Sequence, residues 1–152
     1  MKNSIAKLFQ RDLKVLYREI EAYKNEVDIW KVTEGITNSG GNLALHLVGN
    51  LKTYIGKNLG GIAYIRNREA EFSSKNIAQA VLLNSISETE QIVLQTLDNI
   101  SANSLSEIYP EEVLGYEMTT EYFLIHLHGH LTYHLGQINY HRRILQEQNK
   151  NA

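Results

Sequence analysis

The chain has 152 residues, of which 43% are hydrophobic and 21% are charged, a composition typical of one globular domain, here predicted to span residues 1–152. Fifteen basic and seventeen acidic residues give a net charge of −2, which argues against a nucleic-acid partner. Because the chain has no cysteine, disulfides, thiolate ligands and a cysteine nucleophile are excluded, and a bound metal would need histidine or carboxylate ligands.

The first half of the chain predicts two helices. Apolar residues recur at spacings of three and four near the N-terminus, which predicts a helix over about 4–24. A second helix is predicted over about 42–59, because glycine pairs at 40–41 and 60–61 mark its two ends. The intervening connection, 27–41, is longer than a tight turn between helices.

The second half predicts two further helices. After a polar connection, a third helix is expected to begin at Ser73 or Ser74, with an apolar stripe that includes Val81. An irregular stretch, 101–118, precedes a last helix from Thr119 or Thr120 to about residue 148. Without a convincing strand pattern, the four helices predict an all-α four-helix bundle with long connections between helices 1 and 2 and between helices 3 and 4.

A row of histidines on the last predicted helix is the strongest functional signal. His126, His130 and His134 are spaced by four, so their imidazoles lie on one helix face and start only ~6 Å apart along the axis. The apolar stripe of this helix places His134 towards the core and His130 towards an adjoining helix. Such histidines could instead be structural, donating to neighbouring carbonyl groups.

A metal site at this row needs a ligand from another helix, and His46 is the candidate. His46 shares a face with apolar residues of the second helix, and bundles build metal sites from inward side chains of facing helices. His46, His130 and His134 would give three nitrogen ligands with open positions, which is typical of a catalytic zinc or nickel centre. His128 is expected to be exposed, and His141 to lie too far away to join.

These residues resemble the DinB-like (DinB/YfiT) metalloenzyme superfamily. The resemblance rests on the segment HLVGNL in the second helix and on the spaced histidines before Gly136-Gln137 in the last. It implies a four-helix bundle whose divalent metal is bound by His46, His130 and His134. It further implies a homodimer and a relation to transferases and isomerases that use low-molecular-weight thiols. Leu135 departs from the family, in which many members have arginine at this position.

Residues around the predicted ligands could complete the site. His126 could line or tune it, and Gln137 follows the ligands in the same motif. Asn50 lies one turn from His46 and could orient a ligand or a bound water, or could be an ordinary polar residue on the helix face. The charged segment containing Arg66 and Glu71 could hold an anionic substrate at a pocket mouth, although a solvated loop is the favoured interpretation.

Two functions remain open at this point. The first is a metal-dependent enzyme acting on a small molecule, a transferase that could depend on a thiol, or a hydrolase. The second is a non-catalytic metal-binding protein or a dimeric helical-bundle binding protein. No catalytic residue is assigned. The N-terminus lacks the apolar core of a signal peptide and no stretch predicts a membrane span, so we expect a cytoplasmic protein without a membrane partner.

Overall fold

A computed structural model describes residues 1–150 of the chain, which are predominantly helical, as predicted. Within these residues, extended pairing is limited to one isolated antiparallel bridge between Ile108 and Thr119. The α-helices are α1 (Lys2–Glu21), α2 (Glu26–Ile29), α3 (Gly40–Leu51), α4 (Arg68–Ser73), α5 (Gln79–Asn99) and α6 (Thr120–Lys150).

The core lies between the four longest helices. Helices α1 and α3 each pack against both α5 and α6, so the apolar faces of all four meet. The predicted stripe of the last helix is confirmed, because its members are almost fully buried: Leu127, Leu131, Ile138 and Leu145. Opposite them, Phe9 of α1 and Leu47 of α3 are completely buried.

Helix α3 is positioned by a side-chain cap and by close packing at its first residues. The Ser39 hydroxyl accepts a hydrogen bond from the backbone N–H of Asn42, so the helix begins at Gly40 rather than at residue 42. A Cβ at Gly41 would collide with the ring of Trp30, so only glycine allows this approach. Past Leu51 the chain continues as a π-helix, Lys52–Lys57, which the sequence pattern did not distinguish from α-helix.

The predicted start of the third helix is wrong. The Asn67 side chain accepts from the N–H of Ala70 and caps the separate short helix α4, which ends before Ser74. Asn76 then adopts a left-handed φ of 58°, which separates α4 from α5. Val81, predicted to belong to the apolar stripe, is 59% exposed on α5.

The two long connections contain structure of their own. The first includes α2 and Trp30, whose indole N–H donates to the Ile77 carbonyl at 3.1 Å and ties the connection to the start of α5. The second contains a 3₁₀ turn, Asn103–Ser106, and Tyr109, whose ring packs against Phe123 of α6. None of the helices in residues 1–150 combines the length and apolar character needed to cross a membrane.

Candidate metal centre

Three histidine side chains from two helices converge on one point. His46 extends from α3, and His130 and His134 extend from consecutive turns of α6. The Nε2 atom of His130 lies 3.2 Å from Nε2 of His46 and 3.1 Å from Nε2 of His134. Each of the three histidines offers a ring nitrogen, and these nitrogens lie within 4.8 Å of one another. This group could bind a metal ion.

The short nitrogen–nitrogen distances suit a shared ion. Two nitrogens that each lie about 2.0–2.1 Å from a zinc ion are roughly 3.3 Å apart at a tetrahedral angle and roughly 2.9 Å apart at a right angle. The observed separations of 3.2 and 3.1 Å fall between these values. Two of the three nitrogen pairs, both of which include His130, therefore already have the spacing that coordination requires.

Hydrogen bonds on the far side of two rings determine which nitrogen carries the proton. His46 Nδ1 lies 3.0 Å from Oε2 of Glu71, and His134 Nδ1 lies 2.7 Å from Oε1 of Gln137. Both oxygens are acceptors, so each Nδ1 is the protonated donor. Arg66 Nη2 also lies 3.3 Å from His46 Nδ1, but it donates to the closer Oε2 of Glu71 at 2.9 Å, which leaves Nδ1 to donate to the same carboxylate. The Nε2 lone pairs of His46 and His134 consequently face the point of convergence, as metal ligands require.

His130 lies between the other two rings and is held neutral. Burial, reinforced by the neighbouring His134 and His46 rings, lowers the pKa of His130 to about 4. A single Nε2–H on His130 could satisfy only one of the two lone pairs that face it. The buried Nδ1 of His130 has no hydrogen-bond partner among the described residues, and a metal at Nε2 would not change this. A cation accepts all three lone pairs at once, so the donor set fits a metal ion better than it fits mutual hydrogen bonding.

A buried ion pair supports His46 from behind. Arg66 donates from Nε to Glu71 Oε1 at 2.7 Å and from Nη2 to Oε2 at 2.9 Å. Burial alone would raise the pKa of Glu71, but the hydrogen bonds from His46 and Arg66 outweigh it and hold the pKa below its usual value. Gly49 makes room for this carboxylate, because a Cβ there would collide with Glu71 Oε1. Glu71 is therefore ionised and oriented.

A cavity of about 300 Å³ adjoins the histidines. His46, Asn50 and His130 contribute to its wall, together with Arg66 and Arg68. The Asn50 side chain is 7% exposed, and its Oδ1 has no hydrogen-bond partner among the described residues. The candidate centre is thus accessible from a space large enough for a small molecule.

Comparison with known protein families assigns the chain to one of them. Residues 2–152 match the family described as "Protein of unknown function (DUF1572)". The chain belongs to the DUF1572 family. No curated protein matches its sequence. In this DUF1572 protein the match extends over α3 and α6, which contribute the three converging histidines.

The favoured interpretation of the charged segment as a solvated loop is wrong for Arg66 and Glu71 of this DUF1572 protein. The side chains of Arg66 and Glu71 are only 15% and 6% exposed, because α4 packs against α3 and brings Glu71 behind His46. Arg68 and Glu69 are exposed. Sequence reasoning considered Glu71 only at a pocket mouth and did not predict its contact with His46. The available signal was Asn67, an N-cap residue just before a short acidic helix.

The remaining histidines lie outside the cluster. His126 is exposed, stacks on the Phe123 ring and lines the cavity. The prediction that His128 is exposed is wrong, because this residue faces α1 and its Nε2 lies 2.8 Å from Oδ2 of the buried Asp12. His141 does lie apart from the cluster. It is buried, donates to the Lys31 carbonyl and accepts from the Tyr23 hydroxyl.

Proposed function

We propose that this DUF1572 protein is a metal-dependent enzyme of the DinB-like superfamily, with a four-helix-bundle fold. His46, His130 and His134 would hold one divalent ion, zinc or nickel. The observation that carries the proposal is the convergence of three histidine Nε2 atoms from two separate helices. The histidine-rich motifs that resemble the superfamily lie on these same two helices.

The chain's own residues would prepare the ligands for this role. Glu71 and Gln137 fix the tautomers of His46 and His134, and the low pKa of His130 keeps its ring unprotonated near neutral pH. Asn50 would contact a molecule in the adjoining cavity through its unpartnered Oδ1. When bound, a divalent ion would supply Lewis acidity to a small molecule held in that cavity.

The surroundings of the cluster favour a transferase over a hydrolase. Both oxygens of Glu71 already accept hydrogen bonds from Arg66, and Oε2 accepts one from His46 as well, so this carboxylate is not available to take a proton from water. No aspartate or glutamate lines the cavity within the described residues. A reaction with an external nucleophile such as a low-molecular-weight thiol needs less help from a protein base, since thiols ionise far more readily than water.

A non-catalytic metal-binding protein is the second candidate, and the lack of a free carboxylate beside the histidines is the observation that favours it. For either candidate we propose the homodimer and the cytoplasmic location that are expected from the sequence. The enzyme and the binding protein differ in turnover rather than in metal binding.

Metal analysis of the untagged protein tests the centre first. We expect one zinc or nickel ion per chain in the wild-type protein and loss of stoichiometric metal in His130→Ala. His126→Ala is the matched control, because it removes an exposed histidine of the same helix that is not part of the converging group. Equal metal affinity of His130→Ala and the wild type would contradict the proposed ligand set.

A transfer assay then separates the two candidates. Wild-type and His46→Ala proteins would be compared with a panel of small electrophiles and low-molecular-weight thiols. If the protein is an enzyme, the metal-loaded wild type should conjugate the thiol faster than the background rate, and His46→Ala should not. Equal background rates in both proteins would support the binding protein.

A further inference from the structure

The cavity beside the histidine cluster has a wall whose charged groups are all cationic. Within the described lining, its two guanidinium groups belong to Arg66 and Arg68, and the lining contains no aspartate or glutamate. The charge of Arg66 is balanced by Glu71 behind it. Arg68 is exposed and makes no ion pair within the described residues, its only ring contact being with Phe72 at 5.9 Å. The net charge of the wall is therefore positive.

The ligands of the candidate centre would add to this positive potential. Because histidine binds a metal ion as a neutral imidazole, the three side chains would leave both positive charges of a divalent ion uncompensated. The nearest buried carboxylate, Glu71, is already paired with Arg66. An anionic molecule would be attracted to this cavity, whereas a cationic one would be repelled.

Asn50 adds a second requirement that is independent of charge. Its side chain is more than nine-tenths buried, lines the cavity and leaves Oδ1 without a donor among the described residues. A buried amide oxygen without a partner carries a desolvation penalty that a bound O–H or N–H group would remove. The volume of about 300 Å³ is at the lower end of ligand pockets and suits a small molecule.

We propose that this cavity takes a small compound with an oxyanion group and a nearby hydrogen-bond donor, the chemistry of a small hydroxy acid. The oxyanion would lie against Arg68, whose unpaired guanidinium can offer two parallel N–H donors. The donor group would bind Oδ1 of Asn50. The inference rests on the proposed function in one respect only, the added attraction of a metal ion at the histidines.

Three matched probes test the two requirements separately. Lactate carries a carboxylate and a hydroxyl, propionate lacks the hydroxyl, and lactamide lacks the charge. Each would be titrated into the ¹⁵N-labelled full chain, in zinc-loaded and chelator-treated forms, with amide chemical shifts around Asn50 and Arg68 as the readout. We expect lactate to bind about fivefold more tightly than propionate, the value of one hydrogen bond, and lactamide to bind most weakly. Lactamide binding as tightly as lactate would overturn the proposal.

Two variants assign these preferences to residues. Arg68→Gln should weaken lactate binding about fivefold, since an exposed charge pair is partly screened. Arg143→Gln is the matched control, because Arg143 is also exposed and also lies 5.9 Å from an aromatic ring, that of Tyr140, but does not line the cavity. Asn50→Leu should make lactate and propionate bind equally. Equal effects of the two arginine variants, or an unchanged lactate preference in Asn50→Leu, would overturn the proposal.

The same titrations distinguish this inference from the proposed function. If zinc binds stoichiometrically but lactate shows no preference over lactamide, the oxyanion site is wrong and the metal centre stands. If zinc fails to bind but the chelator-treated protein still prefers lactate through Arg68 and Asn50, the metal centre is wrong and the oxyanion site stands.

Discussion

Replacing Glu71 by Gln is expected to weaken metal binding without removing a ligand. The substitution keeps the shape of the side chain but removes the negative charge that accepts the Nδ1–H of His46 at 3.0 Å. It also leaves Arg66, whose side chain is 15% exposed, without its anionic partner. His46 would then be held less firmly in the tautomer whose Nε2 faces the cluster.

The hydrogen bonds give the size of this effect. A hydrogen bond to a charged group contributes about 1.5–3 kcal/mol, and one between neutral groups about 0.5–1.5 kcal/mol. Removing the charge at His46 therefore costs about 1–2 kcal/mol, which corresponds to roughly a tenfold loss of zinc affinity. Substitutions behind metal ligands typically cost about 10–100-fold, so the two ranges overlap.

A competition titration against a chromophoric zinc chelator measures this loss. Glu69→Gln is the matched control, because Glu69 is an exposed carboxylate on the same helix, α4. The unfolding midpoint of each metal-free protein shows whether the fold has been weakened as well. If Glu71→Gln and Glu69→Gln bind zinc equally well, the carboxylate does not support His46 and the reasoning is refuted.

Four further predictions concern two glycines, His141 and the oligomeric state. Gly49→Ala should lower zinc affinity, because the added Cβ would displace Glu71. Gly129→Ala should stabilise the protein by about 0.5–1 kcal/mol, because a Cβ at this position of α6 meets open space. Zinc titration and thermal unfolding of both variants measure these effects, and equal zinc affinities of the two variants would contradict the role of Gly49. Burial lowers the pKa of His141, so the unfolded chain takes up the proton first as the pH falls, and stability should decrease as the pH falls below about 6.5, the ordinary histidine pKa. Denaturant unfolding should show a smaller decrease in His141→Gln, and an equal decrease would speak against this account. Light scattering should give twice the mass of the chain if the expected homodimer forms, and a single-chain mass would exclude it.

The sequence predicted which histidines converge better than it predicted the residues that hold them in place. Regular spacing within one helix is enough to place His130 and His134 on the same face, and the apolar residues beside His46 put it towards the core. Glu71 could not be found in this way, because it reaches His46 through packing between α3 and a short helix of six residues. The serines at 73 and 74 are good helix caps by composition, but the left-handed Asn76 breaks the helix that they were expected to start.

Tertiary contacts also explain the error at His128. Its position beside the apolar stripe of α6 gives no information on which neighbour it faces, and that neighbour, Asp12, is far away in the sequence. Hydrogen bonds from Arg11 and, to a lesser extent, His128 lower the pKa of Asp12 although burial opposes this, so the carboxylate is stable in the core as an ion. Polar partners of this kind depend on the final arrangement of helices rather than on local periodicity.

The separation of the proposed ligands along the chain means that metal binding would also affect the stability of the fold. His46 and His130 are 84 positions apart, whereas His130 and His134 are one helical turn apart. An ion bound to all three would act as a reversible cross-link that closes a long loop. A covalent cross-link around a loop of this length restricts the unfolded chain by about 4–5 kcal/mol. If the centre binds a metal as proposed, a change in metal supply would thereby alter the lifetime of the folded protein.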